Sequence, residues 1–396
     1  MGDCAMPDFP VLPLTRTCPY APPPEHVQLQ REPVARVTLP DGSQVWALSR
    51  LDDIRTMLTD PRFSADRQRA GFPLQPSGPR PSAPMRQTMI GLDPPEHGEA
   101  RRAVVGEFTI RRMNALRPRI QQIVDESIDA MLAGPRPADL VPALALPVPS
   151  LVICELLGVP YADHDFFQSR SAKLLHRGVP TAERHVAANE IREYMAELIV
   201  QKEKQPADDL LGRQLVKGAD REDLAGLGFL LLLAGHETTG NMISLGVMTL
   251  LERPAALAAL REDPATTPEV VEELLRYFTI AEFVTSRVAR EDVEIGGVLI
   301  RAGDGVLTLG NVANRDPAAF VDGDTFDTGR GARHHIAFGF GPHQCLGQNL
   351  ARIELQIVFD TLFARIPDLR LAATFDELSF KDDSTVYGLH SLPVTW

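Results

Sequence analysis

Apolar residues recur every three to four positions through most of this chain. That rhythm predicts helices at roughly 96–109, 111–133, 149–157, 164–175, 183–203, 208–216, 221–252, 254–262, 268–278 and 349–365. Period-two alternation is confined to short runs. Val34 to Leu39 and Val45 to Leu48 flank Asp41-Gly42 and predict a β-hairpin. Leu51 to Leu58 reads as a helix that stops before Pro61, and strand-like runs follow at 284–289, 293–300, 305–309 and near the C-terminus. The expected fold is mainly α, a helical bundle with small β-sheets. Residues 1–24 read as an extended proline-rich leader, and no repeat or linker divides the rest. The 396 residues are therefore taken as one domain, long enough for a large core.

The longest apolar stretch, Ala225 to Leu251, is interrupted by His236, Glu237, Thr238, Thr239 and Asn241. Charge at its centre would be costly in lipid, so it predicts a buried core helix and no membrane partner. Residues 72–84 carry five prolines and cannot form a regular helix. Met85 and Met89 follow at i,i+4 spacing, suited either to core filling or to an adaptable pocket wall. A net charge of −13 and a pI near 5.3 make nucleic acid a poor partner. The four cysteines, at 4, 18, 154 and 345, lack C-x-x-C spacing, which argues against zinc and a disulfide framework and for a reducing cytosol. Met1 to Tyr20 has no apolar core like that of a signal peptide, and the chain reads as soluble and cytoplasmic.

Candidate chemistry concentrates in a few stretches. Cys345 lies in Phe338-Gly339-Phe340-Gly341-Pro342-His343-Gln344-Cys345-Leu346-Gly347, just before a helical pattern. A thiol at a helix start meets unpaired N–H groups that favour thiolate, the form a soft metal needs. Glycines at 339, 341 and 347 permit positive φ and close approach of a flat ligand. A buried structural cysteine is the other reading. Ala234-Gly235-His236-Glu237-Thr238-Thr239 breaks helix propensity inside an apolar run, either as a packing notch or as a site of proton chemistry. Glu273 and Arg276, at i,i+3, share a helix face. His97 and Arg101, at i,i+4 after Asp93-Pro94-Pro95, can aim at one anion.

Taken together these motifs resemble those of the cytochrome P450 superfamily over nearly the whole chain. Phe338, Gly339, Gly341, His343, Cys345 and Gly347 match its haem-binding loop. The resemblance implies the cytochrome P450 fold and haem b (iron protoporphyrin IX) with Cys345 as axial iron ligand. It also implies propionate partners at His97, Arg101, Arg287 and His343, and a cofactor face bordered by Phe338, Gly339, Gly347, Ala234 and Gly235. Glu237 and Thr238 fall on the family's proton-delivering acid–alcohol pair. Glu273 and Arg276 fall on its structural brace, where Thr325 departs from the usual basic residue and Arg330 or Arg333 is the candidate replacement.

The same resemblance outlines a substrate pocket at Met85, Met89, Phe229, Leu230, Leu233, Ile280, Phe283, Val284 and Val386. Glu282 there is either a solvated loop residue or a selector of cationic or donor-bearing substrates. The leader with Arg16-Thr17-Cys18-Pro19 and the closing 388–396 look most like soluble actinobacterial, Streptomyces-type members. The implied activity is monooxygenation, hydroxylating or epoxidising a hydrophobic secondary metabolite such as a polyketide, macrolide or terpenoid with O2. Oxidative ring formation, peroxygenase chemistry or a haem sensor without turnover are the alternatives. Arg101, Arg102, Arg111, Arg112, Arg117 and Arg119, with Arg352, would form a basic face that docks an acidic ferredoxin as electron donor.

Overall fold

Period 3.6 becomes helix and period two becomes strand across most of the chain in the computed structural model, which describes residues 9–12, 14–73 and 87–396. The helices are α1 Pro24–Gln28, α2 Leu51–Thr59, α3 Glu96–Val105, α4 Ile110–Ala133, α5 Pro147–Leu157, α6 His164–Leu175 and α7 Thr181–Lys204. They continue with α8 Leu210–Val216, α9 Arg221–Gly235, α10 Glu237–Leu251, α11 Pro254–Glu262, α12 Thr267–Phe278, α13 Gly310–Ala313 and α14 Gln348–Arg365. The largest core forms where α4, α5, α9, α10, α12 and α14 bury their apolar stripes against one another.

The strands are β1 Val34–Thr38, β2 Gln44–Leu48, β3 Phe63–Ser64, β4 Ala138–Asp139, β5 Arg287–Ala289, β6 Val293–Ile295, β7 Val298–Ile300, β8 Gly305–Thr308, β9 Arg370–Leu371 and β10 Pro393–Thr395. The hairpin expected around Asp41-Gly42 pairs Val37 with Val45. It opens a five-stranded sheet of order β1-β2-β8-β5-β3, in which only β2 and β8 run parallel. Two smaller apolar clusters fill the faces of this sheet. β4, β10 and β9 form a second sheet, and β6 and β7 a hairpin.

Several boundaries differ from the expectations. The run 221–252 is not one helix: α9 ends at Gly235, His236 has φ −110, and α10 restarts at Glu237. Within 284–289 only Arg287–Ala289 is strand. The expected 293–300 strand folds back on itself at Gly296 and Gly297, both in the left-handed region. The proline-rich loop beyond Pro73, together with Met85, lies outside the described residues, and Met89 opens a short 3-10 turn. Among the described residues no single helix is long and apolar enough to cross a membrane. The one pair passing by length bends by 104° before α11, and its central residues are buried in the protein core.

Candidate active site

The loop before α14 is shaped by two glycines. Gly339 and Gly341 both sit at φ +70, where an L side chain is strained. A Cβ on Gly341 would also meet Thr59 and the Leu58 carbonyl at 2.9 and 3.0 Å, so this glycine lets the loop lie on α2. Gly347 does not share their conformation, with φ −82 at the N-terminus of α14. A Cβ there would meet nothing within 4 Å, so protein packing does not demand a glycine at this position.

The Cys345 N–H donates to the Phe338 carbonyl at 2.8 Å, closing the loop. Cys345 is exposed, and so is Ala234 on α9, although each sits in the helical part of the fold. Burial pushes the Cys345 thiol above its ordinary pKa. The Gly347 and Gln348 N–H groups and the charges of Arg101 and Arg352 pull it down without cancelling that effect. The helix start therefore does not by itself make the thiolate, contrary to the expectation. A coordinated metal does so outright.

Four cationic or donor side chains converge beside this loop. The rings of His97 and His343 stack with centroids 3.8 Å apart. Arg101 donates to the Gln344 carbonyl at 2.6 Å, and Arg287 donates to the Ser286 carbonyl at 2.8 Å. Burial, then repulsion from Arg287 and the other cations, holds His343 down at about 3 and also lowers His97. Arg287, buried beside Arg67, is lowered to about 10, and its Nη2 has no partner among the described residues. Such a cluster fits two carboxylates, since buried cations need anions. An exposed thiol and an anion-seeking cluster beside it match the donor set of a haem. Arg67 belongs to this cluster and escaped the sequence reading, because nothing local distinguishes it from the neighbouring Arg62 and Arg69.

On the opposite wall, the Thr238 hydroxyl donates to the Ala234 carbonyl at 2.7 Å, spanning the break between α9 and α10. Glu237 is buried and accepts from Lys381 at 2.9 Å; the same ammonium donates to Asn241 Oδ1 at 3.0 Å. Gly388 makes room for this arrangement, because a Cβ there would stand 2.2 Å from Asn241 Oδ1. The His236 Nδ1–H faces the Leu232 carbonyl at 2.7 Å. A Cβ on Gly235 would meet Ile153 of α5 at 2.8 Å, so this glycine also lets α9 pack closely on α5.

The brace behind the loop is complete. Arg276, wholly buried, grips both oxygens of Glu273 at 2.7 Å and donates to the carbonyls of Asn314, Gly323 and Thr325 at 2.8, 2.7 and 3.2 Å. Of the two candidates to stand in for the missing basic residue, Arg330 does so, with Nε 3.4 Å from Glu273 and Nη2 2.9 Å from the Thr325 carbonyl.

The pocket expectations divide. Leu230, Leu233 and Val284 are half-buried, while Phe229, Ile280 and Val386 are buried, the last two held together by the Ala281–Val386 bridge. Phe283, at φ +59, turns its ring edge-on to His26. Glu282 is neither solvated nor available to a substrate cation. Arg16 at 2.9 Å, Arg177 at 3.2 Å and Asn311 at 3.3 Å hold it; burial would raise its pKa, but the two arginines outweigh this and lower it. Arg352 is also committed, gripping Glu272 at 2.5 and 3.0 Å over the Phe338 ring, so it does not join an exposed docking face. Arg102 and Arg111 are exposed, as is Arg112, which pairs with the buried Glu107 at 2.7 Å.

Comparisons with known proteins point to one family. The family model described as Cytochrome P450 matches residues 160–366. Pentalenic acid synthase of Streptomyces avermitilis is 50% identical over 97% of this chain and 96% of its own length. The crystal structure of cytochrome P450 MoxA from Nonomuraea recticatena superposes with a TM-score of 0.89 at 55% identity, covering 97% of this chain and 98% of that one. The mycinamicin VIII C21 methyl hydroxylase MycCI from Micromonospora griseorubida, solved bound to mycinamicin VIII, gives 0.93 at 40% identity over 98% of this chain and all of that one.

Proposed function

The chain belongs to the cytochrome P450 family, and on that premise we propose how its own residues serve a haem-thiolate monooxygenase. Cys345 would ligate the iron of haem b, and the observation that carries this is its exposed thiol in the loop that opens α14. Bound there, haem would supply the activation of O2 for monooxygenation of the substrate. His97, Arg101, Arg287 and His343 would hold its two propionates, a reading supported by the unpartnered Arg287 Nη2. Phe338, Gly339, Gly347, Ala234 and Gly235 would border it.

Glu237 and Thr238 manage protons. The hydroxyl of Thr238, anchored on the Ala234 carbonyl, stands in the break between α9 and α10. The carboxylate of Glu237, next to it in sequence, is fixed by Lys381, so the pair forms a short acid–alcohol relay. A carrier without turnover has no use for such a relay. The substrate is a bulky hydrophobic metabolite of polyketide, macrolide or terpenoid type. The apolar wall of Leu230, Leu233 and Val284 supports this reading, as do relatives named for pentalenic acid and mycinamicin VIII. Electrons come from an acidic ferredoxin in the cytoplasm, docking on Arg102, Arg111 and Arg112.

Carbon monoxide added to the reduced protein should give the far-red-shifted Soret band of a thiolate-ligated haem, and Cys345→Ala should abolish it. Thr238→Ala should raise peroxide release at the expense of product. A band that survives Cys345→Ala overturns the ligand assignment, and unchanged coupling in Thr238→Ala overturns the relay.

A further inference from the structure

An α-helix continues where each N–H reaches the carbonyl four residues back. At the end of α9 that pattern fails, and a side chain takes over. The His236 backbone, at φ −110 and ψ −52, closes no backbone hydrogen bond from its N–H among the described residues. The Leu232 carbonyl, which that N–H would meet in a continuing helix, accepts instead from the His236 ring at Nδ1, at 2.7 Å. Two residues on, the Thr238 hydroxyl makes the same back-bond to the Ala234 carbonyl at 2.7 Å. Side chains that bond back in this way compete with the backbone and bend a helix. The break between α9 and α10 thus carries two such bonds.

The His236 ring is fixed in this pose. It is 1% exposed, and Phe167 of α6 meets it edge-on with centroids 5.4 Å apart. A carbonyl only accepts, so the proton sits on Nδ1 and Nε2 keeps a bare lone pair. Burial lowers the His236 pKa, which keeps the ring neutral. Nε2 is itself buried without a partner among the described residues. An unpaired nitrogen in a core is costly, and phenylalanine would fill the space without that cost. What phenylalanine cannot supply is the Nδ1–H. The helices on either side are seated by close contacts of their own. A Cβ on Gly235 would meet Ile153 at 2.8 Å, and one on Gly240 would meet the Ala145 carbonyl at 2.8 Å. Packing thus fixes both flanks and leaves the residues between them to their local hydrogen bonds.

We propose that His236 is a positioning residue: by taking the Leu232 carbonyl from its own backbone N–H, its ring keeps the chain broken and so orients Glu237 and Thr238 for proton transfer. The inference rests on the monooxygenase reading above and adds to it a residue that acts through the relay rather than within it. Without the ring donor, the 236 N–H can return to the Leu232 carbonyl, and the helix runs on through the break. Glu237 and Thr238 then follow a helical path, away from the positions that their bonds to Lys381 and the Ala234 carbonyl now fix.

The test compares the haem-loaded full chain with its His236→Phe and His236→Asn variants. Phenylalanine keeps a buried ring without the donor. The asparagine amide nitrogen lies as many bonds from Cα as Nδ1 and can donate to the same carbonyl. Hydrogen exchange of the peptide spanning 234–240, read by mass spectrometry, should slow roughly two- to tenfold at residue 236 in His236→Phe, the gain of one backbone hydrogen bond. It should return toward the parent rate in His236→Asn. A side chain that only stabilised the core would have the opposite sign, with faster exchange on its loss. Faster or unchanged exchange in His236→Phe, or slowing that His236→Asn shows equally, overturns the proposal. The C–O stretch of carbon monoxide on the reduced protein, read by infrared, should shift in His236→Phe and return in His236→Asn. A stretch identical in all three proteins overturns the orienting of the relay. The Soret band is recorded on the same samples. Its absence from the parent would sink the haem-thiolate reading, whereas a normal band with unchanged exchange would sink the role of His236 alone.

Discussion

Replacing Arg276 with lysine keeps the charge of the brace and removes its fork. The arginine satisfies Glu273 and three backbone carbonyls at once, those of Asn314, Gly323 and Thr325, without any contact with solvent. A lysine ammonium donates from one point and keeps the carboxylate plus at most one carbonyl. The Thr325 carbonyl keeps Arg330, so one buried acceptor, at Asn314 or Gly323, loses its donor at about 1–3 kcal/mol. The lost second arm to Glu273, a hydrogen bond to a charged group, adds about 1.5–3 kcal/mol. Against a typical total of about 5–15 kcal/mol that is a large fraction.

The damage should travel along a definite route from Arg276 to Cys345. Asn314, whose carbonyl is lost to Arg276, also accepts from the Ile336 N–H at 2.8 Å. The Ile336 carbonyl holds Gly339 at 2.8 Å, and Phe338 holds Cys345. Guanidinium unfolding followed by circular dichroism should therefore show a lower midpoint with unchanged slope. Titration with haem should show less of the thiolate-type carbon monoxide band per mole of protein. An Arg276→Lys protein within about 1 kcal/mol of the parent, with full thiolate-type haem content, would refute the claim that fork geometry holds the loop.

The remaining predictions concern the neighbouring charges. Glu272 is held near 2: burial would raise it, but the hydrogen bonds from His335 and Arg352 outweigh that. Its folded pKa is depressed, so its contribution is present above the unfolded value of about 4.3 and fades as pH falls toward 2. Glu272→Gln should thus cost about 2–3 kcal/mol at pH 7 in chemical denaturation and almost nothing near pH 2; a penalty independent of pH would contradict the pairing. Lys381→Met should uncouple the monooxygenase toward peroxide while Lys381→Arg restores most coupling, measured as product per reductant consumed; equal coupling in all three proteins would remove Lys381 from the relay. Gly388→Ala should act in the same direction through displaced Asn241, and a fully coupled variant would show that the close approach is dispensable.

Local features were legible in the sequence, and long-range pairings were not. The Cys345 loop could be read because its glycines, its cysteine and the following helix are contiguous. The hairpin at Asp41-Gly42 could be read for the same reason. The interruption at 234–239 could be read, but not that it ends one helix and starts another, because its flanks continue the apolar rhythm and no proline marks it. Lys381 lies 144 residues from Glu237, and nothing in its local pattern separates it from a surface lysine. Glu282 looked available because Arg16 and Arg177, which hold it, belong to distant segments. The thiol at Cys345 was read from its helix terminus alone, whereas enclosure by the rest of the fold decides the sign of its shift.

The final segment of the chain has a bearing on when the protein becomes competent. Lys381 closes on Glu237, Thr385 hydrogen-bonds to the Leu175 carbonyl, Tyr387 to those of Ile280 and Pro19, and β10 joins β4 and β9. Synthesis proceeds from the N-terminus, so α9, α10 and the Cys345 loop all leave the ribosome before these partners exist. During that interval the distal wall lacks the cation of its buried acid and the leader lacks its anchor at Tyr387, while the loop bearing the thiol is already made. The last residues to emerge act as the closing stitch of the site. A nascent or truncated chain ending short of Lys381 would present the thiol to cofactor with its far wall still unsealed.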